Sequence, residues 1–125
     1  MKSISFRTAC VAASLAFAGV SALTAAHAAS FDGNWTVAIT TLRGSCDTGV
    51  TFALGIRGGA VYARGDAFTA SGRVAPSGAV AVQVASGGSN ASGSGRLRGN
   101  SGGGSWRGAG SRGPCSGSWS ASRSG

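Results

Sequence analysis

The sequence predicts a small all-β domain, an antiparallel up-and-down meander of about eight short strands closed into a barrel and tied by one disulfide. Three observations predict it. From Phe31 onward, apolar or small residues fall at every second position, the period of a strand with one buried face. Turn signals recur at roughly ten-residue intervals. Two cysteines, Cys46 and Cys115, lie far apart in the chain yet at matching ends of the first and last candidate strands.

In the first strand Phe31, Gly33, Trp35, Val37 and Ile39 alternate with Asp32, Asn34, Thr36, Ala38 and Thr40. Val50, Phe52, Leu54 and Ile56 share one face of the second. Gly58-Gly59 is a two-residue hairpin signal, followed by a short strand around Ala60 to Arg64. Phe68, Ala70, Gly72 and Val74 form the inward set of the fourth, Pro76-Ser77-Gly78 turns the chain, and Val80, Val82 and Val84 continue the period. The remaining three strands keep that period with smaller inward residues: Ala91, Gly93, Gly95 and Leu97, then Gly104, Trp106 and Gly108, then Cys115, Gly117, Trp119 and Ala121. Composition alone also suits a flexible Gly/Ser tail from about Ser86, but the regular alternation favours strands. Inward glycines beside Trp35, Trp106 and Trp119 predict aromatic rings filling a narrow interior, with little room for a ligand.

Residues 1–28 have the order of a secretory signal peptide: basic Lys2 and Arg7, an apolar stretch from Val11 to Leu23, then Ala26-His27-Ala28 before the junction. The apolar stretch is interrupted by Ser14, Gly19 and Ser21 and falls short of the ~20 residues of a membrane span, so no transmembrane anchor is expected in the mature chain. Neither a lipoprotein cysteine nor a twin-arginine pair is present. The expected product, 29–125, is a single domain destined for the periplasm or the outside of a bacterial cell. Removing the leader removes the only Met, Lys and His; what remains has no Glu and carries nine arginines against Asp32, Asp47 and Asp66, a formal balance of +6.

An oxidising compartment favours joining Cys46 to Cys115. In an eight-strand meander the loop after the first strand and the start of the last lie at the same rim, provided those two strands are neighbours. Closure also removes both exposed sheet edges, which favours a barrel over a sandwich.

Five segments carry a resemblance: Phe31-Asp32-Gly33-Asn34-Trp35, Gly44-Ser45-Cys46-Asp47, the run Ser71 to Gly78 (SGRVAPSG), Gly93-Ser94-Gly95-Arg96-Leu97 and Cys115-Ser116-Gly117-Ser118-Trp119. In these the chain resembles an uncharacterised family of small exported bacterial proteins, some of which bear automatic labels of haem utilisation or adhesion. That resemblance implies export and imports the suggestion of haem. A second resemblance is to lipocalin-type barrels, in which a Gly-X-Trp on the first strand lies under an Arg from the last. Gly33-Asn34-Trp35 and Arg123 hold those positions, implying a cation–π contact.

The residues offer catalysis few parts. Without His there is no Ser-His-Asp or Cys-His pairing, and the three Asp fall at turns or strand ends, where local hydrogen bonding employs them. Neither zinc nor calcium finds a ligand cluster, so a non-enzymatic protein without a cofactor is expected. Haem would have only Tyr62 as a ligand in the mature chain. The arginines are more suggestive: Arg73, Arg96, Arg98 and Arg107 all fall on the face opposite the apolar one. Guanidinium groups bind carboxylate, phosphate or sulfate through paired hydrogen bonds, so anionic polysaccharide or lipid headgroups are the expected partners. Nucleic acid fits poorly, because Trp and Phe mostly fall on the inward phase and leave few stacking platforms. Two alternatives remain: an inhibitor of an exported hydrolase, presenting the loop from Arg43 to Gly49, and a binder of haem or a small apolar ligand.

Overall fold

The computed structural model describes residues 30–125; the leader expected over 1–28, with residue 29, lies outside the described residues. Eight strands run β1 (Gly33–Arg43), β2 (Val50–Arg57), β3 (Ala60–Ala63), β4 (Thr69–Val74), β5 (Ala79–Ser86), β6 (Ser89–Arg98), β7 (Ser101–Gly110) and β8 (Gly113–Arg123). Each pairs antiparallel with the next, and β1 pairs with β8 to close the barrel. The Gly/Ser-rich segment after Ser86 is therefore strand rather than tail.

Closure places Cys46 and Cys115 at one rim, where they form the disulfide with Cα atoms 6.1 Å apart. That rim, carrying the β1–β2, β3–β4, β5–β6 and β7–β8 connections, is called the top. The bottom carries the β2–β3, β4–β5 and β6–β7 turns, the first of them Gly58-Gly59, whose φ angles of 58° and 82° are those of a type I′ hairpin that any side chain would strain. Among the described residues no helix is long and apolar enough to cross a membrane.

The inward set follows the predicted alternation. Trp35, Val37, Leu54, Ile56, Val61, Val74, Val80, Leu97 and Ala121 are buried in one cluster, with Ile39, Phe52, Phe68, Ala70, Val82 and Trp119 packed against it. Phe31 is buried in the same cluster as expected, but it precedes β1 and is not part of the strand; its carbonyl accepts the Trp35 indole N–H at 2.9 Å. β1 also runs past Thr40 to Arg43. Its pairing with β8 slips between Thr41, opposite inward Gly117, and Arg43, opposite Ser116. Leu42 is exposed, as its outward phase requires, and the irregularity puts Arg43 on the outward side as well.

Candidate functional site

Three parts of the barrel carry chemistry: the closed bottom, the outer wall over β4–β8, and the interior.

At the bottom, Arg123 ends β8 directly opposite Trp35, so both side chains share the inward phase. Its guanidinium carbon lies 5.1 Å from the Trp35 ring centre. Nε donates to Asn100 Oδ1 at 2.9 Å, Nη1 to the Asp32 carbonyl at 2.8 Å and the Ser30 carbonyl at 3.3 Å, and Nη2 to the Gly99 carbonyl at 2.9 Å. One side chain thus ties the segment before β1, the β6–β7 turn and the first-strand tryptophan together. Asp32 adds a second tie by accepting the Gly58 N–H at 3.0 Å. The Trp–Arg contact expected from the first and last strands is present, and its work is structural.

On the outer wall, strand register aligns a band of small polar side chains. Ser71 pairs with Gln83, Gln83 with Ser92, Ser92 with Arg107, Arg107 with Ser116, and Ser116 with Arg43. One register step lower, Arg73, Ala81, Ser94 and Ser105 follow each other across β4 to β7. With Arg73 and Arg43 toward its two ends and Arg107 between them, on a floor of Ser, Ala, Asn and Gln, the band makes an open groove of about 1240 Å³ lined by no acidic residue.

All four arginines predicted to share the outer face are exposed on it, but the groove takes only Arg73 and Arg107. Arg96 and Arg98 sit lower on β6, opposite Ala79, Gly103 and Ser101, and Arg96 leans away to donate from Nη1 to the Ser77 carbonyl at 3.3 Å. Arg43 is the groove residue that sequence reasoning missed. Strict alternation from Trp35 would point it inward, and the slip at Leu42 that turns it out leaves no mark in the residue types.

Tyr62, the one haem-ligand candidate, does not face the interior. Val61 points in, so Tyr62 points out, and its ring lies across Gly55, where even a Cβ would collide with it. The Arg57 guanidinium stacks over the same ring at 5.1 Å. The β1–β2 loop is held shut by Thr41, whose N–H donates to Thr48 Oγ1 at 3.1 Å and whose hydroxyl donates to the Asp47 carbonyl at 2.8 Å. The Cys46 N–H points at Cys115 Sγ, 3.1 Å away.

Inside, the tryptophans do not crowd the axis. Trp119 lies along the wall over the glycines of β6 and β7, its indole N–H shared between the Ser94 and Ser105 carbonyls at 3.2 and 3.1 Å. Trp106 leans the other way, over Gly117, and donates to the Thr40 carbonyl at 3.1 Å. The glycines make this possible: a Cβ on Gly95 would sit 2.8 Å from Trp119 Cζ2, and one on Gly117 would strike the Thr40 carbonyl. Because the rings lie flat, a cavity of about 170 Å³ remains between them and Val37, Ile39, Phe52, Leu54, Val80 and Val82, contrary to the expectation of a filled interior. It is far too small for a haem macrocycle.

Among the described residues no group of three or more His, Cys, Asp or Glu could hold a metal ion. Compared with protein-family models, curated proteins and solved structures, the chain matches none. The resemblances to exported bacterial proteins and to lipocalin-type barrels therefore rest only on the residues quoted for them.

Proposed function

We propose that this protein is a non-enzymatic β-barrel, exported to the periplasm or beyond, that binds an acidic polysaccharide along its outer groove. One observation carries the reading: Arg43, Arg73 and Arg107 line a single groove floored by Ser, Asn and Gln and free of carboxylates. The arginines supply bidentate donors for sulfate or carboxylate. The floor supplies short hydroxyl and amide groups that hydrogen-bond sugar hydroxyls without filling the groove. A positive balance with no acidic residue nearby also raises the local concentration of polyanions. The disulfide and the expected leader agree with an oxidising compartment.

The test is retention on immobilised sulfated and carboxylated polysaccharide across a salt gradient. The reading expects Arg43→Ser/Arg73→Ser/Arg107→Ser to elute at clearly lower salt than the unaltered protein. Arg96→Ser/Arg98→Ser, equal in kind but off the groove, should shift it much less. Equal shifts would reduce the effect to net charge, and retention on anionic vesicles but not on polysaccharide would replace sugar by lipid headgroup.

A further inference from the structure

The interior cavity lies on the other side of the wall from the outer groove, sharing Val82, Ser92, Gly93 and Trp106 with it, and has a different chemistry. We infer that it is a binding site for one small, uncharged, apolar molecule of single-ring size.

Its walls are Val, Ile, Leu, Phe, Ala and Trp side chains contributed by β1, β2, β3, β5, β6, β7 and β8, with Gly93 and the outward-phase Ser92 of β6 the exceptions. Each indole N–H of the three lining tryptophans is already spent on a carbonyl: Trp35 on Phe31, Trp106 on Thr40, Trp119 on Ser94 and Ser105. Among the described residues no buried side-chain polar atom lacks a partner. A ligand with a charge or a strong donor would therefore enter without a hydrogen bond and lose its hydration. Water is equally unsuited, since it needs two or more polar partners to stay.

Size narrows the ligand further. Dry apolar cavities of about 150 Å³ hold one benzene, and this one measures about 170 Å³. A single aromatic ring or a short hydrocarbon fits; a fused polycycle or a long acyl chain does not. The bottom is sealed by Trp35, Leu97 and Ile56, all buried, with Arg123 braced beneath. The upper end is bordered by Phe52, whose ring meets Phe68 edge-on at 5.3 Å, and by Val84, Ala91 and Trp106. Entry is thus from the top, past side chains that rotate, rather than through hydrogen-bonded wall.

The experiment titrates fluorobenzene into the full folded protein by fluorine NMR, with fluoronaphthalene and fluorobenzoate as companions. Fluorobenzene is expected to saturate a single site, and fluoronaphthalene to bind at least about tenfold more weakly because the walls must move. Fluorobenzoate should show no saturable binding in the interior. Ala91→Leu and Ala121→Val, which fill the cavity from different strands, should each weaken fluorobenzene at least about tenfold while keeping the near-UV circular dichroism of a packed barrel. The inference is overturned if fluorobenzene fails to saturate up to its solubility, if fluorobenzoate competes with it on equal terms, or if a folded filling variant binds unchanged. Added acidic polysaccharide leaves fluorobenzene binding intact, so failure of either site is read separately.

Discussion

Strands β1–β5 line the barrel with Trp35, Val37, Leu54, Ile56, Val61, Val74 and Val80, whereas β6–β8 present Ala91, Gly93, Gly95, Gly104, Gly108 and Gly117 around two tryptophans. Both halves obey the same two-residue period and the same antiparallel register. The first fills its share of the interior by side chains standing off the wall. The second leaves Cβ atoms off the wall, at Gly95 beneath the Trp119 ring and at Gly104, Gly108 and Gly117 where backbone of the neighbouring strands comes close, and its Trp106 and Trp119 reach carbonyls one or two strands away. The first half is therefore vulnerable to loss of volume and the second to gain of it. The cavity lies where the standing side chains stop and the reclining rings begin.

Several substitutions break or sharpen that contrast. The disulfide joins the loop after β1 to the start of β8, staples the halves together, and spans 69 residues. Replacing both cysteines by Ala should cost about 4 kcal/mol in the chain-entropy account, measured by urea unfolding with the oxidised protein as reference. Leu54→Ala, a loss of volume in the first half, should cost about 3 kcal/mol by the same measurement. Gly95→Ala, a gain of one methyl in the second half, should cost about 2 kcal/mol. Its new Cβ would meet the Gly103 carbonyl and the Trp119 ring, and the displaced indole should appear as a shifted tryptophan emission. Gly93→Ala is the control: its Cβ would stand 3.5 Å from Trp119 Nε1, an ordinary contact, so the variant should equal the parent or gain about 0.5 kcal/mol from lost unfolded-state freedom. Were both glycine variants equally damaging, close packing of the rings would not be the reason for the glycines.

Most of the barrel was legible along the chain, because period, turns and cysteine placement all follow from local covalent geometry. Alternation at Trp35-Val37-Ile39 and at Val80-Val82-Val84 named the inward face correctly, and the two-glycine turn at Gly58-Gly59 marked a real hairpin. Cys46 and Cys115 meet because an even strand count and closure put both at one rim. Reading the site was harder. Arg96 and Arg98 share the predicted face with Arg73 and Arg107, but a face of a barrel wraps around, and register decides which of its residues meet. Tyr62 was ambiguous on so short a strand, and pairing with Gly55 put it outside.

By itself, then, the sequence determined the class of fold, the inward set and the pairing of Cys46 with Cys115, since each depends on parity and chain order alone; the meeting of Trp35 with Arg123 was expected only from the resemblance to lipocalin-type barrels. Tertiary structure decided the rest. The slip at Leu42 that delivers Arg43 to the groove, the separation of Arg96 and Arg98 from it, and the direction in which each indole reclines depend on shear between strands and on backbone atoms brought close from distant positions. The 170 Å³ left inside has the same origin, because an empty space is a property of how walls meet and no residue encodes it singly.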